Sequence, residues 1–231
     1  MSTYFYVGGM ISPMDTTTTA PLGLREIKKQ ETRQLISDQA TRLFIAQGFE
    51  ETTIAEVAAA ARVAKKTVTN YFARKEDLAL DHQAAFVASL ADAVTARQAG
   101  ESAYTALRRA FEAAVAAQNP VAGFAGPEFT RMIADSPTLT VCLRSLHDQR
   151  EQALAAALAQ AAGAEPEDIA VRTAAGLLGT VHRILFQRIQ DLTLAGLPNA
   201  DIAGIVAEEG NRAFDLLAPS LADYPNATDN V

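Results

Sequence analysis

The sequence predicts an all-α protein. From Leu24 onward, apolar residues recur at three- and four-residue steps almost without interruption. No stretch alternates β-branched residues long enough to make a strand. The breaks in the periodic segments hold helix punctuation: Gly48, Gly100, Asn119-Pro120, Ser136-Pro137, Gly163 and Gly196-Leu197-Pro198.

The first 23 residues show no helical period and read as a flexible tail. Met10 and Met14 are alternative starts. A first helix is predicted over Leu24–Gln47, because Ile27, Leu35, Ile36, Ala40, Leu43 and Phe44 form one stripe. Gly48 suits a left-handed cap, and Phe49 can fold back on the last turn. Thr53-Ile54-Ala55-Glu56 is a capping box that starts a short helix to Ala60. A four-residue turn, Ala61–Ala64, leads to a second short helix, Lys65–Phe72.

Helices this short do not stand alone. Leu43 and Phe44 of the first helix must cover Ile54, Val57, Val63, Val68 and Phe72. The result is a three-helix unit over 24–74, the outline of a helix-turn-helix domain. Residues 75–220 read as a larger helical bundle, with helices near 75–98, 101–118, 126–134, 137–161, 166–193 and 199–218. Residues 221–231 read as a second tail.

The 231 residues allow one or two domains, and 49% hydrophobic with 20% charged residues fits a chain with a full core. Cys142 is the only cysteine, which excludes a disulfide scaffold. No run of 18 apolar residues lacks a charge, and residues 1–14 hold no Lys or Arg ahead of their apolar patch. Neither a membrane span nor a secretory signal is expected, and a cytoplasmic location is. The net charge of −7 divides into +1 over residues 1–80 and −8 over the rest. Arg62, Lys65, Lys66, Arg74 and Lys75 form a basic run ahead of Glu76, and such a local patch governs phosphate contact.

Residues 32–78 resemble the TetR family of bacterial transcriptional regulators. The resemblance rests on Gly48-Phe49, the Thr53 box, Thr67 to Tyr71-Phe72, and Lys75-Glu76 at their usual spacings. It implies an all-helical homodimer with a C-terminal effector-binding and dimerisation domain. It further implies a repressor that a small molecule releases from a double-stranded DNA operator. Two departures stand in the turn, where the family has Gly followed by Val-Ser. Arg62 takes a position that glycine fills without strain. Ala64 cannot cap the following helix, a loss of about 1 kcal/mol.

On the second short helix, Lys66, Thr67, Thr69 and Asn70 are expected at base edges: Lys for guanine, Asn for adenine and Thr for a thymine methyl. Thr53, Lys65, Tyr71 and Lys75 are expected at phosphates. Phe86, Leu90, Phe111, Phe129, Met132, Ile133, Cys142, Leu146, His182 and Phe186 are candidates to line an effector pocket between helices. Arg131, His147 and Gln187 could add polarity. The acidic, Lys-free composition after residue 80 favours a neutral or cationic effector. Leu177, Leu178, Val181, Ile184, Leu185, Ile205 and Phe214 are the candidate dimer surface.

His82, His147 and His182 lack metal-ligand spacing, so no metal is expected, and no cofactor motif is present. Paired acids, a Cys/His pair and a Ser-centred elbow are likewise missing, so no enzyme is expected. The alternative is a helical protein–protein adaptor without specific DNA binding, which has no need of the basic run.

Overall fold

A computed structural model describes residues 23–225, and their regular structure is entirely helical. Residues 1–22 and 226–231 of the expected tails lie outside the described residues. The first helix, α1 (Leu24–Gln47), buries Ile36, Ser37, Ala40 and Phe44. It stops at Gly48, whose φ of 92° and ψ of 147° turn the chain sharply. The positive φ is as expected, but this ψ lies outside the left-handed helical well. The turn drops Phe49 onto Phe44 with ring centroids 4.9 Å apart.

Helix α2 (Ile54–Ala60) begins with the predicted capping box. The Glu56 amide donates to Thr53 Oγ1 at 3.2 Å, and the Thr53 amide donates to Glu56 Oε2 at 2.7 Å. Helix α3 (Lys65–Tyr71) has no side-chain cap at Ala64, and Arg62 sits at φ 55°. Both departures in the turn therefore have the structural consequence the sequence implied. Ala64→Ser should accept from the free amides and add about 1 kcal/mol. That appears as a higher urea midpoint with an unchanged m-value.

The N-terminal core contains Phe44, Phe49, Val57, Val68, Phe72 and Leu78. Three helices do not close it. Met132 and Ile133 of α7 (Pro127–Asp135) and Leu139 of α8 (Pro137–Ala162) complete it from the C-terminal half.

The long helix expected over 75–98 is two helices, α4 (Glu76–Ala79) and α5 (Gln83–Thr95). The break has a partner far away in sequence. Ser37 Oγ of α1 donates to Asp81 Oδ2 at 2.6 Å and lies 3.3 Å from Leu78 O. These bonds tie the broken turn to α1. Helix α6 (Ala103–Ala116) is capped by Ser102. A 3-10 turn, Pro120–Ala122, follows.

Gly123 then reaches φ 121°, where a Cβ would lie 2.9 Å from Phe186 O and 3.2 Å from its ring. Gly123→Ala is expected to destabilise by roughly 2–3 kcal/mol through strain and overpacking. A thermal midpoint within a degree of the parent would contradict this.

Helix α9 (Ile169–Leu194) starts three residues later than expected, because the Asp168 carboxylate accepts from the Ala170 and Val171 amides. Its length and mean hydropathy of 1.3 match a membrane span, yet it packs between α8 and α10 (Asn199–Leu221) as a core helix does. The second tail also begins later than residue 221. Leu221 is buried, Ser102 Oγ donates to Ala222 O at 2.6 Å, and the Tyr104 amide reaches Tyr224 O at 3.4 Å. Residues 221–225 thus lie against the start of α6.

Candidate functional site

Helix α3 is held by its apolar side. Val68 is 1% exposed and Phe72 3% exposed. Lys66 and Asn70 are exposed opposite them, Lys65 and Thr69 are exposed at the flank, and Thr67 and Tyr71 are half-buried. The structure therefore brings the base-edge candidates together on one solvent-facing surface. Thr69 Oγ1 donates to Lys66 O at 3.1 Å, which occupies its hydroxyl and leaves the methyl for a base. Thr53 is exposed at the start of α2.

Lys75 is not a free cation. Its Nζ donates to Glu50 O at 3.1 Å and lies 4.3 Å from the Phe49 ring centroid. It reaches a phosphate only by leaving those partners.

Sequence reasoning missed Arg33. From α1 its guanidinium donates to Tyr71 O at 2.8 Å and stacks 4.2 Å from the Phe72 ring centroid. It fastens the C-terminal end of α3 to α1. Glu50, in the turn before α2, accepts from Ser136 Oγ at 2.6 Å, and Ser136 is the cap of α8. The Ser136 hydrogen bond holds the Glu50 carboxyl below its ordinary value. Besides the shared apolar core, two hydrogen bonds thus join the N-terminal unit to the bundle, Ser37–Asp81 and Glu50–Ser136.

The effector-pocket candidates do not surround one cavity. Phe129, Met132 and Ile133 pack against the N-terminal core through α7, so they belong to the contact between the two halves. Arg131 faces an open cleft of about 470 Å³ between α1 and α7. Cys142 and Leu146 border a cleft of about 90 Å³ with Arg74, Glu76, Leu80 and Gln83. Burial pushes the Cys142 thiol up. Gln187 is exposed and bonded to Asp191. Leu90 lies in the main core of the bundle.

Two aromatic groups remain. Phe86, His147 and Phe186 meet edge-to-face with centroids 5.0–5.5 Å apart. Phe111, His182 and Phe214 meet with centroids 5.6–5.8 Å apart.

Arg150, which the sequence reading passed over, sits among them at 5% exposure. Its guanidinium lies 4.5 Å from the Phe86 ring centroid, and Nε donates to Ser89 Oγ at 2.9 Å. Burial lowers its pKa to about 10. Burial, with Arg150 nearby, takes His182 to about 3 and His147 to about 4. A signal for Arg150 existed in α8, where it interrupts the buried row Leu139, Leu146, Leu154 and Leu158.

Residues 36–81 match the family model described as bacterial regulatory proteins, tetR family. That span holds α2, α3 and α4 with the second half of α1. The helix-turn-helix region of the chain is thus similar to that of the TetR family.

Over 102 residues it is 36% identical to the HTH-type transcriptional regulator TcmR of Streptomyces glaucescens, covering 44% of this chain and 45% of that relative. The match therefore spans less than half the length of the curated relative. Solved TetR-family structures share the fold. A regulator from Syntrophomonas wolfei is 18% identical with a TM-score of 0.56, covering 81% of this chain and 96% of that one. One from Mesorhizobium loti is 18% identical with a TM-score of 0.51, over 83% and 98%. A SmeT–triclosan complex is 16% identical with a TM-score of 0.53, over 87% and 94%.

The candidate dimer residues divide by exposure. Leu178, Leu185 and Phe214 are fully or almost fully buried inside the protomer, and Val181 is 9% exposed. These are core residues, because they lie in the main core of the bundle and have little or no surface to offer a partner. Leu177 and Ile184, at 42% and 58% exposed, remain on the outer side of α9, and Ile205 is half-buried.

Proposed function

We propose that the chain is a ligand-responsive transcriptional regulator, a cytoplasmic homodimer that represses by holding operator DNA and releases it when a small molecule enters the bundle. The observation that carries this reading is the mounting of α3. Val68 and Phe72 bury one side, Arg33 locks the end, and Lys65, Lys66, Thr69 and Asn70 stand exposed to solvent. Such a helix presents donors and acceptors to a major groove with little backbone freedom left to lose. A protein–protein adaptor has no use for that polar, basic side.

In the bound state two α3 helices occupy successive major grooves about 34 Å apart. The dimer forms through the outer side of α9, where Leu177 and Ile184 are exposed one heptad apart. An effector that favours a different bundle arrangement shifts the equilibrium only by its differential affinity. The two joints to the N-terminal unit transmit the change. Movement of α5 acts on α1 through Asp81–Ser37, and movement of α8 acts on the turn before α2 through Ser136–Glu50.

Footprinting on DNA flanking the protein's own gene tests the reading. Two protected half-sites with centres about 10 base pairs apart, or a multiple of one helical turn, are expected. A monomeric mass in solution with no discrete footprint would contradict it.

A further inference from the structure

Arg150 is a buried cation without a counter-charge. Among the described residues it makes no ion pair, and its terminal nitrogens donate to no protein group; its partners are the Phe86 face and the Ser89 hydroxyl. A guanidinium taken out of water costs several kcal/mol unless it is paired, and a neutral hydroxyl offsets only part of that. On the neighbouring α9, His182 Nε2 is also buried with no hydrogen-bond partner. Its protonated form is disfavoured by burial and by Arg150, so the ring stays neutral. A cation without a counter-charge on α8 and an unpartnered ring nitrogen on the neighbouring α9 therefore lie among aromatic side chains.

Aromatic rings in edge-to-face contact can part to admit a flat ring system at little loss, since stacking replaces the contacts given up. The cleft of about 90 Å³ lined by Leu80, Gln83, Leu146 and Gln149 is one helical turn from Phe86 on α5 and from Arg150 on α8.

We infer that Arg150 and His182 anchor the effector, and that the effector is a flat aromatic molecule bearing a carboxylate or an equivalent planar anion. The Arg150 fork takes the anion in two parallel hydrogen bonds. His182 supplies a neutral ring nitrogen to a second polar group. Phe86, His147 and Phe186 hold the ring system. This rests on the reading of the bundle as an effector domain. It reverses the preference for a neutral or cationic effector that the acidic composition suggested, because those acids are spread over the whole bundle whereas Arg150 sits inside. It also couples the site to DNA: Ser89 and Phe86 lie on α5, close after the Asp81 joint, and Arg150 lies on α8, whose cap is the Glu50 joint.

The test compares 2-naphthoate with its uncharged counterpart 2-naphthamide on the full chain by titration calorimetry. The carboxylate is expected to bind at least about tenfold tighter, the worth of one charge-assisted hydrogen-bond pair. Arg150→Met should abolish that preference, and Arg150→Lys should keep part of it. In the absence of ligand, Arg150→Met should melt at the same temperature or higher, since it removes an unpaired buried charge.

Failure of 2-naphthoate to bind, equal binding of the amide, or a preference that survives Arg150→Met would overturn the inference. So would a marked fall in the melting temperature of unliganded Arg150→Met, which would make Arg150 a structural cation. Operator binding by the unliganded protein is measured alongside. If it is intact while the naphthoate preference is missing, this site fails and the regulator reading stands. A naphthoate preference without operator binding supports the site and overturns the regulator reading.

Discussion

Lys66→Ala/Asn70→Ala is expected to lower affinity for the operator by about 30-fold to 10⁴-fold. Each good contact from these side chains to a base edge discriminates by roughly 1–3 kcal/mol, and the two together by roughly 2–6 kcal/mol. Both residues are exposed and neither touches the core below α3, so thermal stability should change by no more than about 0.5 kcal/mol. The loss must therefore appear in binding and not in folding. Competition with unrelated DNA separates the two components of affinity, because the double variant loses operator preference while it keeps most of its non-specific binding. Lys65→Ala should behave differently. As a phosphate contact it should weaken binding to all sequences alike and reduce the salt slope by about one. If the double variant held the operator as well as the parent, α3 would not be the reading element.

Acid is expected to unfold the bundle from within, starting well above the carboxylate range. His182 and His147 are held to about 3 and about 4 in the folded protein, chiefly by burial. In the unfolded chain both return to about 6.5. Between these values the unfolded state binds more protons than the folded state, so stability falls as pH falls. The stabilising contribution of the neutral rings is complete above about pH 6.5 and is lost below it. Each histidine contributes up to about 1.4 kcal/mol per pH unit, and the pair up to about 3. Two pH units remove an amount comparable to the whole stability of an ordinary domain.

Carboxylates held low, such as Glu101 at about 2 beside Arg109, weaken the fold only below about pH 4.5, which keeps the histidine window distinct. Urea midpoints at pH 7, 6 and 5 report the slope, and His182→Phe should roughly halve it. A midpoint that stayed level from pH 7 to pH 5 would show that the rings are not held neutral by burial.

The N-terminal unit was legible residue by residue because its signals are local. A capping box, a glycine at positive φ and a seven-residue helix with two apolar anchors all act within a few residues of one another. The break at residues 80–82 was not legible, since it depends on Ser37 bonding to Asp81 across 44 residues. Periodicity marked Met132 and Ile133 as buried, but it does not say against what, and the answer was the N-terminal core.

The stripe on α9 did not separate core residues from surface ones for the same reason. Leu177 and Leu178 are adjacent in sequence, yet one is 42% exposed and the other fully buried. A helix that is apolar on most of its circumference does not announce which part faces its own core. Arg150 could have been found, because a charge set into a leucine row on a long helix is a buried polar group awaiting a partner.

Equilibrium binding of the purified protein to DNA flanking its own gene, across a salt series and with excess unrelated competitor, decides whether α3 reads an operator. The expected result is tight binding that survives the competitor, saturates at one dimer per site, and weakens with salt by a slope of several phosphates. Weak binding, equal on every sequence and lost as salt rises, would contradict it.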